Sequence, residues 1–384
     1  MTKFLPTKGV TFWPVGNGDS TTVSLNDIVK IQIDLHHTEA SEDDDDECYP
    51  VVSHLVEELP KVDGIPYLSV FALTHPDKDH VKGFGKLLED ATIGELWLTP
   101  RVFHDEELSE EAEAFYNEAE RRRKLAIKKN GVLAPGDRIR IFGYHTVLEK
   151  EKFRNFPEEL LTLPGEVLTE VDGENYQGEF SAFVHSPFKT DVEEERNDSS
   201  LGLQITLGDE TDCLKILIFG DLAHEGMRKL IDISKANDNE SKLEWNILLA
   251  PHHCSKSVMY IKDENDKNVL QQEMMDDLGE YCLDTGYVVS SSKSIPKSNK
   301  QGDNPPHAIA KDRYEEIVTT GFLCTHSDES DSEPEPIVFE KSDEGICLNG
   351  ELVALKSTKS LSDSIKEARS SGTPPTNAAG FGAK

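Results

Sequence analysis

The 384-residue sequence predicts an α/β fold, on three observations. Apolar runs of strand length, Leu68–Leu73, Leu214–Phe219 and Trp245–Ala250, each stop at a turn-forming segment. Each stop is followed at once by His or Asp, so a buried strand would present those groups at the edge of its sheet. Between the runs lie segments of helix-compatible composition, of which Glu106–Asn130 is the longest.

Taken in chain order, the first of these strands enters LTHPDKDHVKG (Leu73–Gly83), which packs His75, Asp77, Asp79 and His80 into six residues. On extended chain alternate residues share a side, so His75, Asp77 and Asp79 project together. His80, at the expected start of a helix, turns back toward the same place. Four such side chains suit two cations better than one. Glu106–Asn130 has an acidic first half, the basic cluster Arg121–Lys124 and Gly131 as a stop, an order that suits the helix dipole without requiring a ligand for the cluster. Leu133–Gly143 resumes strand-like alternation, and residues 144–180 read as an insertion, a lid or a substrate-selecting loop. Phe180–Val184 leads into His185. Leu214–Phe219 leads into Gly220 and Asp221, whose carboxylate could bridge two cations, and Trp245–Ala250 leads into Pro251, His252, His253, Cys254 and Ser255. Three strand ends thus converge on one kind of chemistry, although His185 or His252 taken singly fits a hydrogen-bonded structural histidine as well as a ligand.

The stretches WPVGNGDS (Trp13–Ser20), IQID (Ile31–Asp34), THPDKDHVKGF (Thr74–Phe84), FVHSP (Phe183–Pro187), NDSSLGLQI (Asn197–Ile205), IFGDL (Ile218–Leu222) and APHHCS (Ala250–Ser255) together resemble the metallo-β-lactamase superfamily. Within it they are most similar to the hydrolase domain of ComEC-type DNA-uptake proteins. The resemblance spans residues 9–325 and implies a four-layer αββα sandwich with a dimetal site between the edges of two sheets. It would assign one metal to His75, Asp77 and His185, the other to Asp79, His80 and one of His252 or His253, with Asp221 bridging. It implies a supporting hydrogen-bonding role for Asp34 and places Asn17 and Asp19 in a loop close to the active site, as candidate substrate contacts. His307, in NPPHAI, aligns loosely with a family Pro-His segment and is a candidate for protonating a leaving group. Cys254 stands where relatives usually have glycine. Packing is its expected role, since glycine at such a position reflects tight backbone rather than ligation.

The chemistry implied is hydrolysis by a metal-activated hydroxide, with Asp79 and Asp221 among the catalytic groups and two divalent ions as cofactors. Zinc is the superfamily's default, and Asp77, Asp79 and Asp221 together bring manganese into range. A phosphodiesterase or nuclease is the expected activity. The alternatives are hydrolysis of a small ester, lactone or thioester, and nonenzymatic nucleotide binding by a metal-stabilised fold. A net charge of -33 repels a polyanion at long range, yet Lys293, Lys297 and Lys300 form a local positive segment that could guide a nucleic acid or nucleotide phosphodiester. No apolar run is long enough to cross a bilayer, the amino terminus lacks a signal-peptide pattern, and six cysteines without CxxC spacing fit a reducing compartment. A cytoplasmic protein with no membrane partner is expected. The expected organisation is a hydrolase domain over residues 1–326 with insertions at 39–50 and 144–180, an acidic linker and short accessory element over 327–356, and a disordered tail over 357–384.

Overall fold

Side-chain alternation along the central strands assigns the layers. In the computed structural model of the chain, the described residues are 3–43, 48–104, 109–189, 197–209, 211–298, 304–326 and 334–353. Along the strand Ile65–Ala72, Val70 and Ala72 enter the cluster between two sheets, while Phe71 faces a second cluster shared with Val51, Leu55, Phe84, Leu87 and Phe115 of flanking helices. The other sheet mirrors this. Ile216, Ile218, Ile247 and Leu249 point inward, whereas Leu217 and Leu248 pack outward on Met227, Leu230, Met274 and Tyr314. Three apolar clusters between four layers make the architecture αββα, as expected.

Among the described residues the first sheet has eleven strands and the second seven. In the first, Lys30–Ile33, Ile65–Ala72, Thr92–Leu98, Arg138–Phe142 and Leu161–Thr162 run parallel. In the second, Cys213–Ile218, Trp245–Leu249, Cys282–Ser290 and Gly321–Cys324 do so. Parallel strands buried on both faces read as continuous apolar runs, which is why these were legible. Their carboxyl ends deliver Asp34, His75, Asp221, His252 and His253.

The long helix spans Glu110–Lys129 and stops at Asn130, which takes the left-handed conformation ahead of Gly131. Its basic cluster is internally satisfied. Arg122 is buried against Glu118 and the carbonyls of Ile93, Gly94 and Arg138, while Arg121 and Arg123 bond Glu118 and Glu120.

Two expectations about organisation change. Residues 144–180 do not stand off as a lid: Tyr144, Val147, Phe153 and Phe156 enter the core, and the segment supplies Leu161–Thr162 to one sheet and Val167–Leu168 to the other. The boundary expected at residue 326 is crossed by the fold, because Ile337–Ser342 pairs antiparallel with Gly9–Phe12 and buries Phe339 between the sheets. Of the acidic loop, Glu39–Glu42 forms a turn capped by Thr38, and residues 44–47 lie outside the described residues. Lys300 and the tail 357–384 also lie outside them. Among the described residues, no helix is long and apolar enough to cross a membrane.

Candidate metal centre

The strand Ile65–Ala72 ends one residue before Leu73 gives way to Thr74, and the turn that follows holds His75 and His80 fully buried. From the opposite sheet Cys213–Ile218 runs into Phe219, Gly220 and Asp221. Gly220 has φ +52, and a Cβ there would come to 3.0 Å from both Ser200 and Thr74, so a side chain would crowd both in a backbone conformation that favours glycine. Trp245–Leu249 runs into Pro251–Cys254, where His252, His253 and Cys254 all have positive φ, 50, 50 and 64°. Three successive non-glycine residues in this region are strained, and the result is that both imidazoles face Asp221 rather than alternating.

Asp221 is the centre. Its Oδ2 lies 3.8 Å from His75 Nε2 and 3.6 Å from His252 Nε2, and its Oδ1 lies 3.3 Å from His80 Nε2 and 3.7 Å from His253 Nε2. Asp77 Oδ2 stands 3.7 Å from His75 Nε2, and Asp79 Oδ2 stands 3.3 Å from His253 Nε2. Oδ2 thus faces His75 and His252, and Oδ1 faces His80 and His253, with Asp77 beside His75 and Asp79 beside His253. Asp77, Asp79 and His252 are the partly exposed members, with side chains 29, 37 and 27% accessible, and they mark the mouth.

These residues fit a divalent metal centre. Among the described residues, His75 Nε2, His80 Nε2, His253 Nε2 and Asp221 Oδ1 are all buried without a hydrogen-bond partner, although they converge on each other. Orphaned buried polar atoms are costly unless something binds them. Ligand atoms of His75, His80 and Asp221, and of Asp79, His80 and His253, lie within 4.8 Å of one another. The electrostatics agree. Burial disfavours charge on His80, yet the Asp221 and Asp34 carboxylates hold its pKa well above the ordinary value. Burial is likewise overcome at His253 by Asp221 and Asp19. Burial would raise Asp221, but His253, His80 and His75 hold it well below the carboxylate range. His75 is pushed down to about 3 by burial and by His80 beside it. The pocket thus favours positive charge at the place where cations fit.

A shell of buried groups orients the imidazoles. Asp34, itself at φ 54°, accepts from the Thr74 backbone N–H and hydroxyl and lies 2.8 Å from His80 Nδ1. The Thr74 hydroxyl lies 3.0 Å from His75 Nδ1, and His253 Nδ1 lies 3.1 Å from the Ser291 carbonyl. This supporting place for Asp34 agrees with expectation.

One expectation is corrected by position, and three further residues take structural contacts. His185 is not brought to the cluster: its Nδ1 bonds Ser234 Oγ and its Nε2 the Lys242 carbonyl, 3.2 and 2.9 Å away, and its ring packs between Phe183 and Phe219. His252 occupies the place expected for it, so both residues of the His252–His253 pair face the site. Asn17 clips two loops together, its amide donating to the Pro305 carbonyl and accepting from the Lys293 N–H. Asp19 is buried beside His253, with Oδ1 3.4 Å from Nδ1, and its carboxylate joins the same cluster, within 4.8 Å of ligand atoms of Asp221 and His253. His307 caps the helix Ala308–Ile317, donates its N–H to the Cys254 carbonyl and accepts the Lys256 N–H on Nδ1, all of which braces the Pro251–Cys254 turn. Cys254 is buried in the outer core, where burial raises its thiol pKa and keeps it protonated. Lys293 and Lys297 are exposed on the loop that Asn17 ties down, and the Lys293 stem lies beside Gly16.

Solved structures similar to this chain include the metallo-β-lactamase SMB-1 bound to 2-mercaptoethanesulfonate, at 10% identity and TM-score 0.35 over 65% of this chain and 79% of that one. FEZ-1 metallo-β-lactamase from Legionella gormanii matches at 10% identity and TM-score 0.31, over 61 and 74%. An archaeal metallo-β-lactamase superfamily protein from Sulfolobus tokodaii matches at 11% identity and TM-score 0.28, over 82 and 98%. No family model and no curated protein matches the sequence.

Proposed function

We propose that this chain is a two-metal hydrolase of phosphodiesters, with nucleic acid or a nucleotide as substrate class. The observation that carries the reading is Asp221, which turns one oxygen toward each of two imidazole pairs whose Nε2 atoms lie around it. His75, Asp77 and His252 would hold one ion and Asp79, His80 and His253 the other, with Asp221 shared. The donor set mixes imidazole with carboxylate and suits zinc or manganese. Two bound ions supply acidified water and neutralise charge that builds on the attacking and leaving oxygens of an in-line displacement.

The chain's own residues do the rest. Asp34 and Thr74 fix the ring orientations of His80 and His75, and Asp19 with the Ser291 carbonyl fixes His253, so each Nε2 faces inward. The partly exposed Asp77, Asp79 and His252 leave the centre open on one side for a substrate. Lys293 and Lys297 present ammonium groups beside that loop cluster, where they attract phosphate oxygens against the overall charge of -33.

The test is turnover by protein loaded with zinc or manganese. Bis-p-nitrophenyl phosphate, single-stranded DNA, RNA and cyclic dinucleotides form one panel, and lactones, esters and thioesters the other. Phosphodiester cleavage abolished by chelation is the expected result. Turnover confined to the second panel would replace phosphodiesters by carboxylic esters as the substrate class, and metal-dependent nucleotide binding without turnover would make the protein a binder.

A further inference from the structure

The two ligand groups are backed by different chemistry. Behind His80, Asp34 Oδ2 lies 2.8 Å from Nδ1; behind His253, the Ser291 carbonyl lies 3.1 Å and Asp19 Oδ1 3.4 Å from Nδ1. Both carboxylates are nearly sealed from solvent, 1 and 4% exposed. Behind His75 there is the neutral Thr74 hydroxyl, 3.0 Å from Nδ1. His252 Nδ1 is buried without a hydrogen-bond partner among the described residues. Asp34 reaches His75 only through Thr74, to whose hydroxyl it is the acceptor.

A carboxylate that accepts the remote N–H of an imidazole makes the other nitrogen a stronger donor and fixes the tautomer, and in a dry site its charge acts directly on a cation beyond the ring. A hydroxyl does this weakly, and an unpartnered nitrogen not at all. We propose that the two positions bind divalent cations unequally. The position formed by Asp79, His80 and His253 is the tight one, and the position formed by His75, Asp77 and His252 is the exchangeable one, filled only as free cation rises. The proposal rests on the two-metal reading above and adds to it an order of loading. It makes the second ion the one whose supply switches the completed centre on and off.

Loss of such a supporting partner typically costs about 10–100-fold in metal affinity. Two carboxylates behind one position and none directly behind the other therefore set the dissociation constants apart by at least about tenfold. The experiment is calorimetric titration of the metal-free full chain with zinc at alkaline pH, where protons do not compete. Anomalous diffraction from crystals grown with one equivalent of zinc accompanies it. Two phases are expected, with the single anomalous peak among Asp79, His80 and His253. Asp19→Asn should weaken the tight phase by about 10–100-fold and leave the weak phase in place. Thr74→Val should weaken the weak phase. Asp34→Asn touches both Thr74 and His80, so Asp19→Asn, whose nearest rings are His253 and His80 of the tight position, carries the test if Asp34→Asn does not fold. A peak at His75, Asp77 and His252, or equal half-filling of both positions, would overturn the unequal loading while leaving two metals in place. No zinc bound at either position would overturn the two-metal reading itself.

Discussion

Replacing His185 and replacing His252 should have separate consequences, because one ring is tied by hydrogen bonds and the other faces Asp221. His185→Asn removes bonds to Ser234 and Lys242 and should destabilise the fold by about 1–3 kcal/mol while metal content stays at two equivalents. His252→Ala should lose about one equivalent with little change in melting temperature. Metal titration to saturation, alongside thermal unfolding, checks both, and a missing equivalent in the His185 variant would restore it to the ligands. His185 also predicts a pH effect. Burial lowers its pKa from 6.5 to about 4, only partly offset by the Lys242 carbonyl, so the folded state binds its proton less readily than the unfolded chain. Stability from this group is complete above pH 6.5 and falls as pH drops toward 4, by roughly 3 kcal/mol at most. That part of the acid sensitivity should be missing from His185→Asn. At the centre, Asp221→Asn should abolish activity and release metal, whereas Cys254→Ala should cost about 1 kcal/mol of packing and keep both ions; equal losses would bring the thiol into the chemistry.

At the scale of elements, the strand-to-turn junctions were legible and the turn geometry was not. Leu68–Leu73, Leu214–Phe219 and Trp245–Ala250 announce themselves because strands of a parallel sheet covered on both faces have no polar side to show. His185 follows a strand in the same manner as His75. What separates them is where Ser234 and the Lys242 carbonyl fall, and those come from a helix and turn distant in sequence. The choice between His252 and His253 was open for a related reason: alternation on an extended chain offers one of two neighbours, and only the left-handed turn offers both. Gly220 is the matching element on the facing strand. Gly220→Ala adds a side chain at φ +52 and 3.0 Å from Ser200 and Thr74, so a loss of roughly 1–3 kcal/mol and weakened metal retention are expected. Unchanged unfolding and metal content in that variant would mean that the two turns do not need their close approach.

Across the whole molecule, the late strand Ile337–Ser342 closes the first sheet beside Gly9–Phe12, so the sequence between residues 327 and 356 contributes to the core that positions the site. Sequence reading missed this because antiparallel pairing between the two ends of a chain leaves no local pattern. The distribution of charge gives the second prediction at this scale. Neutralising Lys293, Lys297 and Lys300 together to Gln should weaken binding of a single-stranded nucleic acid and flatten its salt dependence, by about 0.7 in the log-log slope for each phosphate that is no longer neutralised. Hydrolysis of a small uncharged ester should not change. An unaltered slope would remove the lysines from substrate guidance. The central claim, a shared carboxylate between two ions, is tested most directly by anomalous diffraction from crystals saturated with zinc or manganese. The account predicts two peaks flanking Asp221, one against His75, Asp77 and His252 and the other against Asp79, His80 and His253. A single peak at saturation, or one lodged at His185, would contradict it.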